Sequence, residues 1–103
     1  MGSKQALLPP PHPGETIKED ILEPLGMSVN QMAKALGITA TRLNEIVRGR
    51  RGITADTALR LARYLGTSPD FWLGLQLEYD LRLARQTKQK DIERAVTPRI
   101  AAA

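Results

Sequence analysis

The stretch Ser28-Val29-Asn30-Gln31-Met32-Ala33-Lys34-Ala35-Leu36-Gly37-Ile38-Thr39-Ala40-Thr41-Arg42-Leu43-Asn44-Glu45-Ile46-Val47-Arg48-Gly49 decides the fold. It opens with the Ser-x-x-Gln spacing of a capping box, in which two side chains satisfy backbone donors left over at a helix start. Val29, Met32, Ala33 and Leu36 recur at helical spacing and make one apolar face. Gly37 follows them, where a left-handed residue closes a helix. Thr39 then serves as the N-cap of a second helix, with Leu43, Ile46 and Val47 as its inner stripe and Gly49 at its end. Two short helices joined by Gly37-Ile38-Thr39 read as a helix-turn-helix. Ala33 is small where the helices cross, and Leu43 and Ile46 anchor the second helix to a core. The alternative is an ordinary helical hairpin.

Outward from this pair, the chain reads as further helices. Leu7-Leu8-Pro9-Pro10-Pro11-His12-Pro13-Gly14 is proline-rich and favours an extended conformation. A first helix is expected from about Glu15, with Ile17, Ile21, Leu22 and Leu25 at helical spacing, and Pro24 is expected to end it near Glu23. His12 reads as an exposed or capping histidine. After the motif comes the basic loop Arg50-Arg51-Gly52-Ile53. Thr54 caps a fourth helix that Gly66 closes, and Ser68-Pro69-Asp70 opens a fifth, expected over 69–85. With no alternation of strand type and no repeat, the chain is all-α with five helices. Its organisation is a proline-rich arm (1–13), a helix-turn-helix domain with a dimerising fifth helix (14–86) and a C-terminal tail (87–103).

Composition narrows the function. A chain of 103 residues supports one small domain. It has no cysteine and one histidine, so thiol chemistry and Cys/His metal sites are excluded. No nucleophile–base–acid set is visible, so neither a catalytic site nor a cofactor is expected. No run approaches a membrane span and residues 1–13 lack a signal-peptide core, so a cytoplasmic protein is expected. Charge is concentrated: residues 39–63 hold six arginines against only Glu45 and Asp56. A local basic patch suggests a polyanion partner, against the plainer reading of a solvated helix face.

The helical wheel assigns the polar residues of the second helix of the pair. With Leu43 inward and about 100° per residue, Thr41, Glu45 and Arg48 fall opposite the core, with Arg42 and Asn44 flanking. The N-terminal part of such a helix meets base edges in the major groove. Thr39, Thr41 and Arg42 are therefore the expected base readers, with Glu45 next, either accepting from cytosine or holding Arg42 or Arg48. Ser28, Gln31, Arg48, Arg50 and Arg51 are expected on phosphates, which set register without reading sequence. Arg60 and Arg63 read as surface charges. The fifth helix is apolar on two sides, Phe71, Leu75 and Tyr79 on one and Leu73, Leu77, Leu81 and Ala84 on the other. Such a helix must bury both, which predicts a homodimer. Trp72 reads first as a core residue, and it is also placed with Leu73, Leu77 and Leu81 at the expected dimer interface.

Several runs carry a resemblance: His12-Pro13-Gly14-Glu15, Glu23-Pro24-Leu25-Gly26, Asn44-Glu45-Ile46-Val47-Arg48-Gly49, the run from Gly52 to Ala62, and Ser68-Pro69-Asp70-Phe71-Trp72-Leu73. Together they resemble the HigA family of bacterial antitoxins, of the Xre/Cro helix-turn-helix class, also called virulence-associated protein I or plasmid-maintenance antidote. The resemblance implies a five-helix lambda-repressor-like fold. It further implies a HigB-type partner, a RelE-like toxin that cleaves mRNA, and binding of the palindromic operator by a dimer that represses transcription near the nucleoid. Carried onto this chain, it places groove reading on Thr39, Thr41 and Arg42, and the toxin surface on the N-terminal segment and first helix. Two other readings stay open: a stand-alone repressor of the same fold, and a helical protein-binding module that never meets DNA.

Overall fold

The computed structural model describes residues 10–100; most of the proline-rich arm, residues 1–9, lies outside them. Among the described residues the chain forms five helices and no strand. The first, α1, begins as Pro13–Thr16, passes through a π-helical turn at Ile17–Leu22 and ends as Glu23–Leu25. It starts earlier than Glu15 because His12 caps it: the Nδ1 of His12 accepts from the Gly14 amide at 2.9 Å, and the Glu15 carboxylate accepts from the His12 amide at 3.1 Å. It also runs past the expected stop at Glu23. A proline lacks an amide donor and crowds the carbonyl four residues back. Here the Glu23 amide bonds Lys18 five residues back, and this widened winding accommodates Pro24.

The next three helices follow the cap signals. Val29–Leu36 (α2) has the Ser28/Gln31 capping box in place, with bonds of 3.1 and 2.9 Å. Gly37 adopts φ 71° between α2 and Ala40–Val47 (α3), a left-handed conformation that disfavours side chains. The Thr39 hydroxyl accepts from the Arg42 amide and starts α3. Thr54 caps Ala55–Leu65 (α4) in the same way.

The fifth helix, α5, runs Pro69–Ala95, well past the expected end at Arg85. The stretch from Thr87 is polar but contains no glycine or proline before Ala95. Side-chain pairs one turn apart support it: Gln89 with Glu93 and Arg94 with Asp91. A helix polar all round persists on such pairs. From Arg85 onward every described residue is exposed.

All five helices contribute to one core: Ile17 and Leu22 from α1, Met32, Ala33 and Leu36 from α2, Leu43 and Ile46 from α3, Ala58 and Leu61 from α4, and Trp72 from α5. Trp72 is 1% exposed, which corrects its assignment to a dimer interface. Its indole packs edge-on against Phe71 and donates from Nε1 to the Thr67 hydroxyl at 2.8 Å, so both its apolar body and its polar tip are used within the protomer.

His12 has a further consequence. Its ring packs edge-on against Tyr79 of α5 with centroids 4.8 Å apart. Burial pushes its pKa below the usual histidine value, against the opposing pull of Asp80 and Glu15. A histidine whose folded pKa is depressed stabilises the fold fully above its unfolded pKa, about 6.5. That contribution is lost as pH falls through the folded value. Melting temperature is therefore expected to drop between pH 7.5 and pH 5, and to drop less in His12→Asn, which retains a cap acceptor without titrating. Equal drops in both proteins would assign the pH response elsewhere.

Candidate nucleic-acid interface

Helices α2 and α3 form the helix-turn-helix, and each turns its apolar side inward. Leu43 and Ile46 are fully buried, while Thr39, Thr41 and Arg48 are exposed on α3 and its cap. Ser28 and Gln31 are exposed at the start of α2. Their oxygens are engaged in the capping box, which leaves the Gln31 amide NH2 as an outward donor. Arg50 and Arg51 are exposed on the loop after α3. The geometry thus places Thr39, Thr41, Ser28, Gln31, Arg48, Arg50 and Arg51 on accessible surface of the motif and the loop beside it.

Two expected readers are placed differently. Arg42 turns back from the exposed side of α3: its Nη2 lies 2.7 Å from the Asp56 carboxylate and donates to the Thr57 hydroxyl at 2.6 Å. In this structure the guanidinium of Arg42, expected as a base reader, rests against α4. Glu45 is paired with Arg51 at 2.6 Å rather than with Arg42 or Arg48. Its backbone carbonyl also accepts from the amides of Arg50 and Arg51 at 2.8 and 3.2 Å. Glu45 therefore organises the basic loop. Among the described residues, Arg48 and Arg50 make no ion pair.

The loop is held from the other side by a residue the sequence did not single out. Gln76 of α5 accepts from the Ile53 amide at 2.8 Å and donates to Asp80 at 2.9 Å. Its role depends on a contact twenty-three residues away, so no local pattern marks it. Asn30 and Asn44 are also new: with Thr41 they line a shallow polar cleft between α2 and α3. Asparagine carries the donor–acceptor pair that matches adenine in the major groove, a signal that the wheel's flanking position for Asn44 already offered.

Arg60 is likewise more than a surface charge. It donates to Asp56 at 2.9 Å and to the carbonyls of Leu36 and Gly37 at 3.0 and 3.2 Å. The hydrogen bonds from Arg42 and Arg60 hold the Asp56 carboxyl below the usual carboxylate range. Among the described residues no group of acids or histidines could hold a metal ion, and no helix is long and apolar enough to cross a membrane.

The helix-turn-helix family model matches residues 18–72. An addiction module antidote protein of the HigA family from Coxiella burnetii is 49% identical, with a TM-score of 0.83 over 89% of this chain and all of that one. The chain belongs to the HigA family of helix-turn-helix antitoxins. A second HigA-family structure, Pseudomonas aeruginosa antitoxin HigA with the higBA promoter, is 44% identical, with a TM-score of 0.83 over 86% of this chain and 97% of that one. Virulence-associated protein I of Dichelobacter nodosus is 54% identical over 82 residues, which span 80% of this chain and 76% of the relative. HigA antitoxins are non-enzymatic regulators, and all five helices of this chain fit that family's fold.

Proposed function

We propose that this HigA-family chain represses its own operator as a homodimer and neutralises a HigB-like, mRNA-cleaving toxin. The observation that carries the DNA half is the exposed polar and basic surface on the helix-turn-helix of a chain 44% identical to an antitoxin described with its promoter. Thr39 and Thr41 are the base readers, joined by Asn30 and Asn44, and Arg42 acts through α4. Ser28, Gln31, Arg48, Arg50 and Arg51 bind phosphates, with Glu45 fixing Arg51.

The dimer surface falls on the outer side of α5. Leu77 and Leu81 are 65% and 44% exposed, and Leu73 is half-buried beside them. A second copy would cover this stripe, and dimers of this motif address two half-sites about one DNA turn, roughly 34 Å, apart. Leu77→Glu is expected to give monomers in sedimentation equilibrium with the melting transition retained. A dimer that survives the substitution would remove this stripe from the interface. The toxin surface is assigned to the arm and α1, whose exposed Glu15, Glu19, Asp20 and Glu23 suit a basic partner.

The deciding experiment is fluorescence anisotropy with the duplex upstream of its own gene and a scrambled duplex, at two salt concentrations. A strong preference for its own DNA is expected. Arg50→Ala should weaken both duplexes alike and lower the salt slope by about 0.9, the share of one phosphate left unneutralised. Equal weak binding of the two duplexes would overturn operator recognition and favour a protein-binding module.

A further inference from the structure

Asp56 lies in the first turn of α4 with its side chain half exposed, a setting in which a carboxylate is ordinarily a solvated charge. Its Oδ2 instead accepts from two arginines, Nη2 of Arg42 at 2.7 Å and Nε of Arg60 at 2.9 Å. Each arginine also makes a second attachment. Arg42 reaches the hydroxyl of Thr57, which is 1% exposed. Arg60 Nη1 reaches the carbonyls of Leu36 and Gly37, the last residue of α2 and the first of the turn. Those carbonyls belong to a helix end that lacks intrahelical donors, where a cation is also favoured by the helix dipole. One carboxylate oxygen thus links the end of α2, the first turn of α3 and the start of α4.

We propose that Asp56, together with Arg60, is a positioning residue for operator recognition: the pair fixes how α3 leaves the turn and keeps Arg42 as a strut against α4. This rests on the DNA-binding reading above. The effect expected is geometric, because an exposed ion pair alone contributes little to stability, whereas a recognition group must be held to a fraction of an ångström by its supporting residues. Electrostatics acts with the opposite sign. A carboxylate in the stretch that carries Arg48, Arg50 and Arg51 repels phosphates, so deleting it should by itself strengthen binding to any duplex. Positioning and charge therefore predict different outcomes for one substitution.

Asp56→Ala separates them. With anisotropy on the two duplexes above, affinity for its own DNA should fall on the order of tenfold, as when a base contact is misaligned. Affinity for the scrambled duplex should rise. Backbone amides at Ile38, Arg42 and Leu43, which bond across the turn and the start of α3, should exchange hydrogen faster. A rise for both duplexes, or unchanged affinities with unchanged exchange, overturns the proposal. If Asp56→Ala fails to fold, Asp56→Asn, which keeps an oxygen acceptor, decides: retained operator preference supports positioning, and its loss in a folded protein overturns it. A wild-type protein that binds both duplexes equally sinks the DNA reading, and the exchange at these amides then judges the clamp alone.

Discussion

Gly14→Ala is expected to lower stability by about 2–3 kcal/mol, near the upper part of the range for overpacking a close contact. A Cβ at this position would overlap the carbonyl of Ile46 and crowd the Cα of Val47. Both obstacles are backbone, in the last turn of α3, so no side-chain rotation relieves them. Either the first turn of α1 lifts from α3 or α3 shifts. In a domain of this size the loss corresponds to a fall in melting temperature of roughly 10–20 °C. Gly74→Ala is the matched control, since a Cβ there meets nothing within 4 Å and alanine is the better helix former. A Gly14→Ala protein that melts with wild type would mean that α1 does not seat on α3 as described.

Trp72→Ala is expected to cost about 3–5 kcal/mol, the usual range for removing a large buried aromatic. The side chain is almost wholly enclosed, its ring meets Phe71 at a centroid distance of 5.0 Å, and its loss removes the hydrogen bond from Nε1 to the Thr67 hydroxyl. Because these contacts lie inside one protomer, the loss in urea unfolding should be the same at low and high protein concentration. A deficit that shrinks as concentration rises would place Trp72 between chains.

The starts of these helices are legible in the sequence because their signals are local. Ser28 with Gln31, Thr39, Thr54 and Ser68 each announce a helix within three residues, and each caps one. Where a residue's role is set by a distant partner, local signals fall short. The wheel of α3 describes one helix, so it leaves Arg42 to the groove; Asp56, fourteen residues on, captures it from another helix. Asp56 and Arg60 look like an ordinary surface pair until Arg60 is seen to reach the turn. Two apolar stripes on α5 are visible, but their phase alone does not say which one a second chain would cover, and Trp72 belongs to neither stripe. The proline rule for α1 is sound for an α-helix and fails here because the winding changes before Pro24.

The exposed end of α5 alters how mass must be measured. The radius of gyration is 17.2 Å, against about 13 Å for a compact domain of a hundred residues, and the longest dimension is 53 Å. An elongated body of this kind drags on solvent somewhat more than a sphere of equal weight. On a gel-filtration column calibrated with globular standards, one chain would elute early, in the direction of a dimer. Elution volume therefore cannot count the subunits, whereas equilibrium sedimentation and static light scattering, which do not depend on friction, can.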